Sequence, residues 1–77
     1  MISHMESAAT DTQGAAAYIK DKTGVAVSAR TLEGHRSRGL GPRYLRIAGR
    51  VAYRFEDLDA HIDSCVVEPS EVRTNVG

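Results

Sequence analysis

Residues 27–53 read VSARTLEGHRSRGLGPRYLRIAGRVAY, and most of the architecture can be inferred from them. Ser28 has the marks of a helix N-cap, with Val27 and Leu32 at the two positions of a hydrophobic staple. This pattern predicts a helix over residues 29–38. Gly39 ends that helix, and Pro42 prevents any continuation because the residue before a proline avoids helical backbone angles.

The second half of the stretch predicts a β-hairpin. Residues 44–47 and 51–54 are rich in β-branched, aromatic and long side chains, and residues 48–50, Ala-Gly-Arg, are interpreted as the turn between them. One face of the hairpin is expected to point into the core and to carry Leu45, Ile47, Val51 and Tyr53. The arginines would then occupy the edge, the tip and the outer face. Because an isolated two-stranded hairpin is marginally stable, it must pack on helices.

Two further helices are predicted on either side of this stretch. Thr12 can cap a helix over residues 12–23, and Gly24 suits the position just after its end. Apolar residues recur at helical spacing from Phe55 through Leu58 to Ile62, which predicts a third helix over residues 56–65. The fold is therefore expected to be mainly α with a small β-hairpin, in the order helix, helix, hairpin, helix.

The two ends of the chain lack such patterns. Residues 1–11 are expected to be disordered, and the first four of them are interpreted as a remnant of a cloning site. A disordered tail is expected over residues 67–77, where polar residues and a proline follow no period. Residues 12–66 then form a single domain.

The charges are segregated along the chain. Between Arg30 and Arg54 there are seven arginines and one carboxylate, Glu33, although the formal net charge of the whole chain is zero. Residues 55–77 carry six carboxylates and one arginine. Such segregation predicts a cationic surface that meets a polyanion or an acidic partner.

Length and composition argue against several classes of protein. A chain of 77 residues leaves little material for a preorganised catalytic pocket, so we expect no enzyme and no cofactor. The single cysteine, Cys65, excludes an internal disulfide and fits a cytoplasmic protein, and no apolar run approaches the roughly 20 residues of a membrane span. His61 and Cys65 are four residues apart, but a zinc site normally takes four ligands, so both are interpreted as core or surface residues and no metal is expected.

A helix, a second capped helix and a basic hairpin describe a winged helix-turn-helix. The segment TLEGHRSRGLGPRYLRIAGRVAYRFEDLDAHI resembles the small MerR-type winged-helix proteins that include phage excisionases and AlpA-like regulators. The resemblance covers residues 12–63. It rests on Ala-Ala-Tyr-Ile in the first helix, Ser-x-x-Thr-Leu, Arg-x-x-Gly-x-Gly-Pro with an aromatic residue after it, Tyr-Arg and Asp-Leu-Asp-Ala. The family usually has Trp where His35 and His61 stand, and Ser where Glu56 stands.

Candidate contacts follow from the helical period. With Leu32 facing inward, 100° per residue turns Arg30, Gly34 and Ser37 outward. Arginine can bridge guanine O6 and N7, a carboxylate can accept from cytosine N4, and glycine lets a helix backbone approach closely. The candidate base-reading residues of the second helix are Arg30, Thr31, Glu33, Gly34, Ser37 and Arg38.

A second group suits contacts with phosphates, which fix the position of a protein on DNA without reading sequence. These candidates are Arg36, Arg43, Arg46 and Arg50. Some of the arginines could instead pair with carboxylates of the third helix, and Arg54 is the first choice for such a pair. The alternative for Arg36 is a structural role, and the alternative for the outward stripe is a merely solvated helix face.

The residues and the resemblance together predict a sequence-specific double-stranded DNA-binding protein of the bacterial cytoplasm, associated with the nucleoid. Within that class the resemblance implies an excisionase, that is, a recombination directionality factor, or an AlpA-like transcriptional regulator. A domain this small covers little DNA, so several copies on repeated sites, cooperative self-association, DNA bending and an integrase partner are expected. The alternative is a protein-interaction adaptor, or a DNA-packaging protein similar to a terminase small subunit, with the same fold.

Overall fold

The computed structural model of the chain describes residues 8–69. It contains three helices and three strands in the order β1, Ala9–Thr10; α1, Thr12–Thr23; α2, Ala29–Ser37; β2, Leu45–Ile47; β3, Arg50–Arg54; and α3, Phe55–Ser64. The strands form one antiparallel sheet in the order β1-β3-β2. The predicted order helix, helix, hairpin, helix is confirmed. The class is mixed α and β, since the sheet has a third strand that the sequence did not predict.

Helix α1 has the predicted bounds but a different cap. Asp11, and not Thr12, is the N-cap residue, and its carboxylate accepts a hydrogen bond from the Gly14 N–H at 2.8 Å. Thr12 is the first residue inside the helix. At the other end Gly24 adopts a left-handed φ of 79° and donates its N–H to the Lys20 carbonyl, as expected for a glycine that terminates a helix.

Helix α2 begins as predicted and ends one residue earlier. The Ser28 hydroxyl accepts a hydrogen bond from the Thr31 N–H at 3.0 Å, so Ser28 is the N-cap. The helix ends at Ser37, with Arg38 as its C-cap and Gly39 in the turn that follows at φ 75°. Leu32 is its one buried side chain and fixes which face of α2 is turned outward.

The hairpin turn is shorter than predicted. It consists of Ala48 and Gly49 alone, with φ values of 53° and 79°, so Arg50 is the first residue of β3. Two successive residues with positive φ give the two-residue turn whose twist matches that of antiparallel strands. The resulting register pairs Leu45 with Ala52, Arg46 with Val51 and Ile47 with Arg50.

The predicted inward face of the hairpin is therefore wrong for β2. Directly opposed residues of an antiparallel pair share a face, so Arg46 lies on the side of Val51 and Tyr53. Leu45 and Ile47 lie on the other side, and Ile47 is 63 % exposed. A shift of one residue in the turn moves every side chain of a strand to the opposite face, and this shift is the physical reason for the error.

The expected disorder of residues 1–11 is wrong for residues 8–11. Ala9 pairs with Arg54 and Thr10 with Tyr53, which makes β1 an edge strand of the sheet. The Ala8 carbonyl also accepts a hydrogen bond from the Phe55 N–H at 3.0 Å. The predictions for residues 1–7, and for the tail from residue 70 onward, lie outside the described residues.

The core is small and lies where the three helices meet the sheet. Helix α3 begins at Phe55, one residue earlier than predicted, and Arg54 precedes it without a side-chain capping bond. On the other side of the core, α1 packs on both α2 and α3. The core side chains that are almost completely buried are Ala15, Ile19, Leu32, Tyr53 and Leu58.

Candidate nucleic-acid interface

The outward side of α2 carries the side chains that the helical period placed there. Its residues Arg30, Thr31, Glu33, Gly34 and Ser37, with the C-cap Arg38, are all exposed. Leu32, on the opposite side, is 2 % exposed. The predicted orientation of the helix is therefore confirmed, while the contacts of its outward stripe remain predictions.

The two hydroxyl groups of this stripe already have partners within the protein. The Thr31 hydroxyl accepts from the Ser28 hydroxyl at 3.0 Å, next to the capping bond. The Ser37 hydroxyl donates to the Gly34 carbonyl at 2.9 Å, one turn back in the helix. Ser37 can therefore offer lone pairs to an outside donor without breaking this bond, and it cannot also donate.

No packing contact explains the glycine at position 34. A β carbon built on Gly34 would have no atom within 4 Å among the described residues, outside the backbone of its own helix. Glycine in a helix interior costs up to ~1 kcal/mol relative to alanine. Gly34 therefore gives the fold no packing advantage, and it leaves the backbone of α2 open to close approach from outside.

The acidic helix does not neutralise the predicted phosphate contacts. Within residues 8–69 the ion pairs are those of Arg54, whose guanidinium lies 2.8 Å from Asp57 and 3.7 Å from Glu56. The hydrogen bond to Asp57 raises the pKa of Arg54 above its usual value. This pair is the one that the sequence predicted first, and it is confirmed. The exposed arginines without a carboxylate within 4 Å in this part of the chain are Arg30, Arg38, Arg43, Arg46 and Arg50.

Arg36 differs from these five residues because it is tied to the core. It is half-buried, and its Nη1 donates to the hydroxyl of Tyr53 at 2.9 Å. Tyr53 is 1 % exposed, so this bond satisfies a buried polar group and joins α2 to β3. The structural role that the sequence left open for Arg36 is present, and a phosphate contact would have to use its remaining N–H groups.

Tyr44 belongs to this site, although the sequence did not single it out. Its ring centroid lies 5.7 Å from the Arg36 Cζ and 5.9 Å from the Arg46 Cζ, both within the range of a cation–π contact. It also lies 6.1 Å from the ring of Tyr53. The sequence did contain a signal for this contact. Tyr44 and Arg46 are two residues apart in an extended segment, so their side chains point to the same face.

A second surface feature is an apolar groove of about 360 Å³ between the C-terminal halves of the helices. His35 and His61 both line it. Burial lowers the pKa of His61 below its usual 6.5, and the nearby charge of His35 lowers it further. The remaining lining residues are Ile19, Thr23, Val25, Val27, Leu32, Ile62, Cys65 and Val66.

The thiol of Cys65 lies 3.7 Å from Nε2 of His61 at the edge of this groove. Within residues 8–69, no group of three or more His, Cys, Asp or Glu residues is arranged to hold a metal ion. In the same range, every helix is too short or too polar to cross a membrane. Comparisons of the chain with protein-family models, with curated proteins and with solved structures gave no match.

Proposed function

We propose that this chain is a double-stranded DNA-binding protein with a winged helix-turn-helix fold, in which α2 is the recognition helix and the β2–β3 hairpin is the wing. One observation carries the proposal. Five exposed arginines on α2, on the hairpin and on the loop between them have no carboxylate partner within residues 8–69. The regular phosphates of DNA would supply the missing anions.

In this proposal α2 contacts the bases, and most of the phosphate contacts come from the hairpin and the loop before it. Arg30 stands in the first turn of α2, where a recognition helix contacts base edges, and it would bridge guanine O6 and N7. Glu33 would accept from cytosine N4, and Gly34 would let the backbone approach the groove. Thr31, Ser37 and Arg38 lie at the borders of this contact. Phosphate contacts would come from Arg36, Arg43, Arg46 and Arg50.

The biological role follows from the resemblance to the MerR-type family. It is an excisionase or an AlpA-like regulator that binds repeated sites in several copies and bends the DNA between them. Its protein partners would be neighbouring copies of itself and an integrase, on the nucleoid of a bacterial cytoplasm. Neither a catalytic step nor a cofactor is part of this proposal.

The proposal is tested by titrating labelled duplexes from the upstream region of its own gene and from prophage attachment sites, at several salt concentrations. Arg30→Ala should weaken binding to the preferred site by ~1–3 kcal/mol and relax its preference at one base pair. Arg46→Ala should weaken binding to all sequences alike and lower the slope of log K against log salt by about 1.

Lys22→Ala is the matched control, since it removes one exposed positive charge from the C-terminal end of α1. It should bind like the wild type. Circular dichroism spectra of all three variants should match that of the wild type, because the substituted side chains are exposed. If the wild-type protein shows no salt-sensitive binding to any of these duplexes, the proposal is wrong.

A protein-interaction adaptor is the second candidate, and the apolar groove favours it. Val25 and Val66 line the groove and are 60 % and 67 % exposed, and apolar patches of this kind often contact other proteins. An adaptor would lose a protein partner on Arg30→Ala or Arg46→Ala and would have no DNA affinity to lose. A packaging protein similar to a terminase small subunit would show both activities.

A further inference from the structure

The Tyr44 ring is a contact point for two positive charges. The guanidinium carbons of Arg36 and Arg46 both lie within 6 Å of its centroid, and Tyr44 as a residue is 40 % exposed. The electron-rich face of an aromatic ring attracts a guanidinium. Tyr44 therefore holds side chains from two different elements, α2 and β2, at one place on the surface.

The position of Arg36 is fixed by a hydrogen bond to the core. Arg36 donates one N–H to the buried Tyr53 hydroxyl, which limits the positions that its guanidinium can take. Of the five N–H donors of an arginine, this contact uses one. Arg46 extends from the same face of the hairpin as Tyr53. It is paired with Val51, and Val51 and Tyr53 are two residues apart on β3 and share a face.

No carboxylate within residues 8–69 lies within 4 Å of either guanidinium, so neither positive charge has an ion-pair partner there. Their unused N–H donors and combined charge suit one small anion with several oxygen atoms. Guanidinium groups bind phosphate oxygens through paired hydrogen bonds, and a fixed pair of them loses less side-chain entropy on binding than two free ones.

We propose that Tyr44 is a positioning residue that holds Arg36 and Arg46 as a two-arginine site for a single phosphodiester. The proposal rests on the proposed DNA-binding function, which supplies the phosphate. It adds that Arg36 and Arg46 bind the same phosphate and depend on each other. Because the site joins α2 to the hairpin, the recognition helix and the wing would engage the DNA backbone together.

The test uses the full chain and three variants, Tyr44→Leu, Tyr44→Phe and Tyr18→Leu, in duplex titrations over a range of salt concentrations. Tyr44→Leu keeps an apolar side chain but removes the aromatic face, and it should weaken binding roughly tenfold and lower the salt slope by about 1. Tyr44→Phe keeps the ring and should behave like the wild type.

Tyr18→Leu is the matched control because Tyr18 also lies under a cation, Lys22 at 5.4 Å, but on α1 and beside the acidic helix. It should lower thermal stability without changing the salt slope. The proposal is overturned if Tyr44→Leu keeps the wild-type affinity and slope. It is also overturned if Tyr44→Phe is as weak as Tyr44→Leu, because the hydroxyl and not the ring would then matter.

A second measurement separates this proposal from the DNA-binding function. Inorganic phosphate is titrated while the side-chain Nε–Hε signals of Arg36 and Arg46 are followed by NMR. Both signals should shift together in the wild type and in Tyr44→Phe. Arg46→Gln, at an exposed position where folding is not at risk, should weaken the shift of Arg36.

The outcomes are distinct. If the wild type binds no duplex while phosphate still shifts both arginines together, the DNA-binding function is wrong and the anion site stands. If duplex binding is intact but the Arg36 shift is unchanged by Arg46→Gln, the two-arginine site is wrong and the DNA-binding function stands. If neither duplex nor phosphate has any effect, both are wrong.

Discussion

Gly14 and Gly34 both lie inside helices, but a side chain at the two positions would meet different surroundings. At Gly34 a β carbon would contact no atom within 4 Å among residues 8–69, apart from the backbone of its own helix. At Gly14 it would overlap the Thr10 Oγ1 and lie 3.2 Å from the Asp11 Oδ1 that caps α1. The first glycine leaves open space on a candidate binding surface, whereas the second is required because β1 passes so closely.

Gly34→Ala should stabilise the fold by up to ~1 kcal/mol, because alanine restricts the unfolded chain and favours the helix without meeting a neighbour. If α2 enters a major groove, the added methyl group should at the same time weaken DNA binding. Thermal denaturation and duplex titration of the same variant measure the two effects. Higher stability with unchanged DNA affinity would place Gly34 outside the interface.

Gly14→Ala should have the opposite effect on stability despite the same gain in helix propensity. The methyl group forces Thr10 or the Asp11 cap to move, and loss of a cap of this type costs about 1 kcal/mol. Thermal denaturation should show a lower midpoint than that of the wild type. A midpoint equal to or above the wild-type value would mean that β1 yields to the methyl group without cost.

At the level of elements, the helices could be predicted from the sequence and the sheet only in part. The Ser28 cap, the apolar spacing of Phe55, Leu58 and Ile62, and the glycine at 24 each depend on neighbours close in sequence. Strand β1 has two residues and no period to recognise, and its evidence is a pairing with β3 some 44 residues away. Such a contact leaves no local signal.

The hairpin shows how little separates a correct prediction from a wrong one. Gly49 identified the turn, but the turn length decided which face Leu45 and Ile47 would occupy. The usual signal for a two-residue turn is Asn-Gly or Asp-Gly, and here Ala48 takes the first left-handed position at φ 53°. An alanine is strained in that region, so the sequence favoured the longer turn.

Ala48→Asn should therefore stabilise the protein. Asparagine tolerates the left-handed region better than alanine, and the strain that it relieves is of the order of 1 kcal/mol. Ala17→Asn is the matched control, since Ala17 is exposed within α1 and the same substitution there should lower stability through helix propensity. Equal effects of the two substitutions on the denaturation midpoint would contradict this account of the turn.

At the scale of the whole molecule, the sequence predicted the basic and acidic segments, and within residues 8–69 the structure pairs only Arg54 of the basic segment with carboxylates. Arg54 was expected to pair with a carboxylate of the third helix, and it pairs with Asp57. The coupling of Arg36 to Tyr53 and Tyr44 could not be predicted, because it depends on the angle between α2 and the sheet. The apolar groove likewise could not be predicted, because it exists only once the three helices are packed together.

The groove makes stability sensitive to pH. Because the pKa of His61 is lower in the folded chain than its usual 6.5, the unfolded chain binds more protons below that value. The contribution of His61 is therefore fully present above about pH 6.5 and is lost as the pH falls through the lowered folded value. The charged groups facing it are His35 on α2 and, across a second small pocket, Arg43 and Asp57.

His61→Leu should remove this dependence, since leucine keeps the apolar lining and does not titrate. Both proteins are denatured thermally between pH 5.5 and 7.5, a window set by the titration of histidine. The denaturation midpoint of the wild type should fall as the pH is lowered, and that of the variant should change less. Measurements above that window check that the variant folds. Parallel profiles would assign the pH dependence to other groups.

The separation of charge has a consequence for how the molecule moves before it touches anything. Its formal net charge is zero, while the arginines that have no carboxylate partner within residues 8–69 lie on α2, on the hairpin and between them, and six of its ten carboxylates follow Phe55 in the sequence. The molecule is thus an electric dipole without a monopole. The field of a polyanion turns such a dipole until its basic side faces the polyanion, and the gradient of the field then attracts it more weakly than it would attract a net positive charge. Salt would shorten the range of that torque to about one Debye length, roughly 8–10 Å. The zero net charge thus limits how strongly the protein accumulates near a polyanion, whereas the separation of its charges orients it.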